Sequence, residues 1–344
     1  MLTKQGIGDN SNNNTQIIAE KVTLETDYMQ VREIVKDTFE MNFLKYKPEI
    51  QEIIDKRLEE FNGSLIRKIK EECITDLSEF KNPDFLYNLY EAQKTCVRLG
   101  DKDQEDVLTS LLLERFNEKT NTLKQIILNE ALQVIPKLTK KHINILTLLF
   151  ILKETQNRNI DTFQKFCKYL ESLIPFFEEN IDHKPLDIQH LEFTGCGQQG
   201  LTSYNLLACC KAYYLEAFVK ERANISASDL EKIKKLLIHF TRGINNQLKK
   251  SSRDFSDYCK ILGEDNKRVE ELIDTYQEKI MSDEEILKKT IEICPGFESF
   301  YKNWDKSGLK SFKLSSVGKA VGLINANAKK SLTSCNYNLD LWIS

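Results

Sequence analysis

Hydrophobic positions recur at three- and four-residue steps along nearly all of this chain, the spacing of one buried helical face. They fall at Tyr28, Val31, Ile34/Val35 and Phe39, then behind Pro48 at Ile50, Ile53/Ile54, Leu58 and Phe61. Gly63 is a candidate interruption before Leu65, Ile66 and Ile69. Asn82-Pro83-Asp84 restarts a helix facing inward through Phe85, Leu89, Ala92 and Cys96, and Gly100-Asp101 ends it and opens the next. The pattern centres on 121–156. There two helical runs meet at Pro136-Lys137-Leu138-Thr139, and from Ile143 to Leu152 only Asn144 and Thr147 break an apolar run. Ten residues rise about 15 Å, and a bilayer core needs roughly 20 apolar residues, so this run belongs to the buried centre of a helical body.

Two stretches depart from the pattern. Residues 1–24 hold a turn-rich segment, Gly6 to Asn14, followed by β-branched Thr15 to Leu24, which reads either as a frayed polar tail or as a docking strand that adds to a partner's sheet edge. Residues 181–203 form an irregular region with a short strand expected over Ile188 to Phe193. Beyond it, Tyr204 to Lys220 reads as a helix, and Ser226 or Ser228 caps another through Leu230, Ile233, Leu236/Leu237 and Phe240. Two helices divide at Ser282, a small-residue helix spans Val317 to Ala328, and Leu339 to Ile343 closes the chain as a strand. The expectation is a mainly α, multi-helix bundle in two bodies with a short β-strand leader and a small winged-helix-like β element. Its divisions are 1–24, 25–180 built around 121–156, and 181–344.

Composition agrees with that reading. Across 344 residues there are only 13 Gly and 6 Pro, few for a turn-dense β fold. The 49 bases against 52 acids leave a net charge of −3, without the basic excess of a phosphate-backbone binder. Nine cysteines, an odd number without a C-x-x-C, sit mostly among apolar neighbours, as buried thiols in a reducing, cytoplasmic compartment do. The start, MLTKQGIGDN, has no apolar core of a signal peptide, and no stretch reaches membrane-spanning length.

Candidate chemistry gathers in one turn. Gly195-Cys196-Gly197-Gln198-Gln199-Gly200 spells G-x-G-x-x-G, with Glu216 and Glu221 about 20 residues on, the dinucleotide pattern. The expected strand before it carries Gln189, His190 and Glu192, whereas a central parallel strand is almost continuously apolar. No cofactor is therefore expected, and a glycine-demanding turn explains the residues better. Cys196 with His190 permits a thiol nucleophile and its base. His183, His190, Cys196, Cys209 and Cys210 lack a regular ligand spacing, so no metal is expected. Asp84, Glu91 and Lys94 share a helix rather than a metal-binding strand. Val317-Gly318-Lys319-Ala320 lacks the remaining parts of a phosphate loop. Lys137, Lys140, Lys141 and His142 make a small basic patch, and Leu138-Thr139 through Leu149 with Leu191-Glu192-Phe193 suits a winged helix with its wing.

Several stretches together, GDNSNNNTQII, NPDFLYNLYEAQK, GDKDQEDVL, NEALQVIPKLT, QHLEFTGCG and SVGKAVGL with LDLWI, resemble a family of bacterial cytosolic proteins to which no activity is attached. More loosely, the helix order and the LEFTGCG turn are similar to the Abi-alpha abortive-infection proteins, and the GDN-type start is similar to leaders on prokaryotic defence proteins. The resemblance implies a phage-defence setting in which protein contacts do the work.

The expected function is a non-enzymatic scaffold that self-assembles or binds a protein partner. Self-association is expected at Gly8, Asp9, Asn10, Ser11, Thr15, Gln16, Ile17 and Ile18. The alternatives are a winged-helix regulator that binds nucleic acid and a thiol enzyme using Cys196 and His190. A functional turn at His190, Gly195, Cys196, Gly197 and Gly200 accompanies them.

Overall fold

The computed structural model describes residues 29–40, 48–118, 122–178, 185–201, 203, 205–220, 224–240, 248, 252–329 and 336–343. The leader contacts expected at Gly8 to Ile18 lie outside these residues. The chain is mainly α and falls into two compact units that divide between Lys137 and Leu138.

The first unit holds α1 (29–40), α2 (Pro48–Glu71), α3 (Pro83–Leu99), α4 (Lys102–Asn117) and α5 (Leu123–Val134). Gly63 does not interrupt α2, which runs on to Glu71. Its buried stripe of Phe61, Leu65 and Ile69 outweighs the roughly 1 kcal/mol that a mid-helix glycine costs. The Asn82 side chain accepts the Asp84 amide at 3.0 Å and Pro83 supplies a preset φ, so α3 starts where the sequence signals it. Gly100, at φ +65°, ends α3 with left-handed backbone. Asp101 then caps α4 by accepting the Gln104 amide at 2.9 Å. Phe80, Phe85 and Phe116 meet at ring centroids of 5.2 to 5.4 Å and fill the centre.

In the second unit, α6 (Lys140–Glu154) is buried at every position from His142 to Ile151. Its main cover is α15 (Ser316–Ala328) from the far end of the chain. Small residues on α15 let the two backbones approach, and Asn325 donates to Thr147 Oγ1 at 2.7 Å inside the contact. This pairing explains why the units divide at Lys137 rather than in the irregular 181–200 stretch. The apolar run at 143–152 belongs with the C-terminal sequence.

Around that pair stand α7 (Phe163–Glu178), α8 (Pro185–Phe193), α9 (Leu206–Tyr213), α10 (Ala227–Phe240), α11 (Ser252–Leu262), α12 (Asn266–Lys279), α13 (Asp283–Ile293) and α14 (Gly296–Lys306). Ser226 caps α10 and Ser282 forms a capping box with Glu285, as their spacing foretells. The helix expected over Tyr204 to Lys220 stops earlier. After Tyr213 the chain tightens into a 3₁₀ turn at Leu215–Phe218, which buries Phe218 against Phe166 at 4.8 Å.

Two expected strands are not strands. Ile188 to Phe193 lies in α8, and Leu339–Leu341 is a 3₁₀ turn in which Asn338 accepts the Asp340 amide. The described sheet has β1 (Gly197–Gln199) antiparallel to β2 (Phe312–Leu314), with Gln198 opposite Lys313. Six described helices, α9 to α14, separate these strands in the chain, so they do not form the hairpin wing of a winged helix, and Leu191-Glu192-Phe193, in α8, is not part of a wing.

Candidate functional site on the outer side of α8

α8 is apolar on two sides. At 3.6 residues per turn Ile188 and Leu191 share its inner side and are buried, while Leu186, His190 and Phe193 share the opposite side. Leu186 is 70% exposed and Phe193 83% exposed, and Leu201, just past β1, is fully exposed. An apolar stripe on each side explains why the run carries no amphipathic signature and reads from sequence as a strand.

The glycine-rich turn ends this helix. The Cys196 amide donates to the Leu191 carbonyl at 2.9 Å and the Gly195 amide to Glu192 at 3.0 Å, with Gly195 at φ +76°. This is a Schellman stop with glycine at its left-handed position. Gly197 follows in β1, where a Cβ would fall 2.4 Å from the Lys313 carbonyl oxygen. The Gly200 amide donates to the Ser311 carbonyl at 2.8 Å. The G-x-G-x-x-G thus follows a helix and enters a two-stranded ladder, the reverse of the strand-to-helix setting that holds a pyrophosphate.

Cys196 is fully buried, its Sγ 3.5 Å from Thr194 Oγ1, while its carbonyl accepts the Ser315 amide at 3.0 Å. His190 is half-buried and stacks on His142 of α6, with ring centroids 4.7 Å apart and planes 26° apart. The thiol therefore faces the interior and the imidazole faces α6. Burial also pushes the Cys209 thiol up to about 12 and the Cys167 thiol to about 11. Among the described residues no group of three or more His, Cys, Asp or Glu could hold a metal ion.

The histidine pair is anchored from both helices. Thr139 caps α6, and its backbone N–H donates to Nδ1 of His142 at 3.1 Å. The lone pair on Nδ1 makes His142 the neutral tautomer protonated at Nε2, which lies 3.3 Å from Asp187 Oδ1. The other oxygen of Asp187 accepts from Lys141 Nζ at 2.6 Å. Burial first, and then the neighbouring His190, hold the His142 pKa below the ordinary imidazole value, against the pull of Asp187. Lys141 and His142, half of the expected basic patch, are thus committed to a carboxylate.

Sequence reasoning missed a buried polar network in the first unit. Arg115 is fully buried and donates to Asp84 at 2.7 Å, Asn129 at 3.0 Å and Glu79 at 3.3 Å. Asp84 also accepts from Gln125 at 3.1 Å, while Glu91 and Lys94 pair with each other. An arginine between the apolar residues Leu111, Leu112 and Phe116 of the inward stripe was the available signal.

The fold and this face define a mainly α-helical two-unit protein in which α8 exposes Leu186 and Phe193. A protein-family model matches residues 26–343, and the chain belongs to that family. No curated protein and no solved structure matches it. Among the described residues no helix is long and apolar enough to cross a membrane.

Proposed function

We propose that the protein acts by self-assembly, as a cytoplasmic scaffold, and that the outer side of α8 is a contact between two copies. The observation that carries this is the exposure of Phe193 and Leu186, 83% and 70%, one turn either side of His190. Single exposed apolar residues are ordinary, whereas a large aromatic and a leucine on one stripe of a helix form a patch. The stripe is its own complement. Crossed antiparallel about a two-fold axis near Gln189 and His190, Leu186 of one copy meets Phe193 of the other. None of the outward positions 186, 189, 190 and 193 is an acid, lysine or arginine, so the contact buries no side chain of those types.

A standard interface buries about 800 Å² per partner, and Leu186 and Phe193 supply roughly a third of that. In this reading the leader, Gly8 to Ile18, supplies the remainder. The setting, antiviral defence in bacteria, is taken from the sequence likeness to abortive-infection proteins. Light-scattering mass of the full-length chain tests the assembly. A mass of two or more copies is expected, falling to one copy in Leu186→Glu/Phe193→Glu and weakened by removal of residues 1–24. A wild-type monomer at tens of micromolar would overturn the proposal.

A further inference from the structure

The leader joins the described chain at Met29, and Met29 itself lines a groove between α1 and α2. Phe39 of α1 shares a buried cluster with Ile54 and Leu58 of α2. The two helices therefore run antiparallel, with Met29 at the Ile66 end. Beside their seam lies a cleft of about 920 Å³. Met29, Arg32 and Lys36 face it at the three- and four-residue steps of one helix side, opposite Asn62, Gly63 and Ile66. We infer that the root of the leader, Ala19 to Leu24, turns back on its own chain and occupies this groove. The seat does not depend on the contact at α8. In the assembly proposed above, it anchors the Gly8 to Ile18 segment.

Chain length fits this seat. Four residues, 25–28, lie between Leu24 and Met29, enough for a reversal. Extended, Ala19 to Leu24 covers about 20 Å. The side of α1 from Met29 to Glu40 is about 16 Å long. Side-chain pattern fits as well. At a period of two, Glu20, Val22 and Leu24 share one side. Leu24 then meets Met29, which is 67% exposed, and Ile66, while Val22 comes over Gly63. The rim carries both signs, Arg32 and Lys36 from α1 and Asp55 and Glu59 from α2, as the segment does in Glu20 and Lys21.

The floor supplies two observations of its own. Gly63 costs α2 about 1 kcal/mol relative to alanine, and nothing among the described residues lies within 4 Å of its missing Cβ. Packing inside the unit does not call for this glycine, whereas close approach by another segment does. Beside it, Gln93 donates from Nε2 to the Val35 carbonyl at 2.8 Å and to Asn62 Oδ1 at 3.0 Å. The bond to Val35 fixes which end of Gln93 is the donor, so Asn62 must present its oxygen there. The Asn62 amide N–H groups are left to serve a backbone carbonyl of the segment.

The experiment is photocrosslinking of the full-length chain with benzoylphenylalanine in place of Val22, followed by peptide mapping of the band at single-chain mass. Links to 58–66 of the same chain are expected, and their loss in Gly63→Leu, a change that favours the helix but fills the floor. Circular dichroism of both proteins checks that α2 is intact. Because the readout lies within one chain, it holds whether or not the copies assemble, and self-assembly is judged separately by mass. Links to 58–66 found only at double mass would give the groove to a second copy and overturn the seat. Links elsewhere, no links, or an undiminished yield in a folded Gly63→Leu chain would overturn it too.

Discussion

A Cβ on Gly322 would lie 2.6 Å from the carbonyl oxygen of Leu146, so α15 and α6 touch backbone to backbone at that point. Nothing flexible stands there to move aside. Gly322→Val is expected to destabilise the protein by about 3 kcal/mol, at the upper end of overpacking costs, because backbone must shift. Gly63, in α2, is the control: nothing lies within 4 Å of its missing Cβ. Gly63→Ala should stabilise by about 0.5–1 kcal/mol. Urea unfolding of the two variants would show opposite signs.

Removing Arg115 should be costly through the groups it leaves behind. Its guanidinium fork reaches Asp84, Asn129 and Glu79 from a fully buried position. Arg115→Ala is expected to cost about 3 kcal/mol, the low end for a broken buried pair, because Asp84 is 46% exposed and can recover water. Arg115→Lys should recover little, since an ammonium cannot reproduce the fork. Burial pushes the Asp84 carboxyl up, but hydrogen bonds from Arg115, Asn129 and Gln125 and the guanidinium charge prevail and hold it low. The associated stability is present above the ordinary carboxylate pKa and is lost as pH falls through the lowered one. A thermal-melt series from pH 5 to 2 would show a shallower acid loss in Arg115→Ala.

Lys153 gives a dependence of opposite origin. Its ammonium donates to the carbonyls of Leu309 and Phe312, each at 2.7 Å, and burial pushes its pKa down to about 7. Between there and the ordinary lysine value of 10.5 the unfolded chain holds a proton that the folded chain lacks. Stability therefore rises with pH across that window. Denaturation midpoints at pH 7 and 9 should show the rise in wild type, and a smaller one in Lys153→Met.

The helices of the first unit were legible because their signals are local. Asn82-Pro83-Asp84 and Gly100-Asp101 punctuate the chain in the manner that caps require, and Ser282 with Glu285 does the same later. α8 was misread for a physical reason: with Leu186 and Phe193 outside and Ile188 and Leu191 inside, its apolar residues fall on both sides and set no single helical period. Gly195 carried the missing information as a helix stop, hidden by the pull of a dinucleotide pattern. The division at Lys137 was not legible, because what covers 143–152 is α15, more than 160 residues away in the sequence. Arg115 was passed over because its partners come from the 78–84 segment and from α5, which periodicity on one helix cannot link.

The self-contact of α8 can be tested most directly by a single cysteine at its centre. Gln189 is exposed and lies beside the two-fold axis that the Leu186–Phe193 pairing requires. Mild oxidation of full-length Gln189→Cys at pH 8 should yield a covalent species of twice the chain mass, with the 189–189 disulfide found by peptide mapping. The same cysteine combined with Phe193→Glu should give none. A well-folded Gln189→Cys chain that stays at single mass under oxidation would contradict the account.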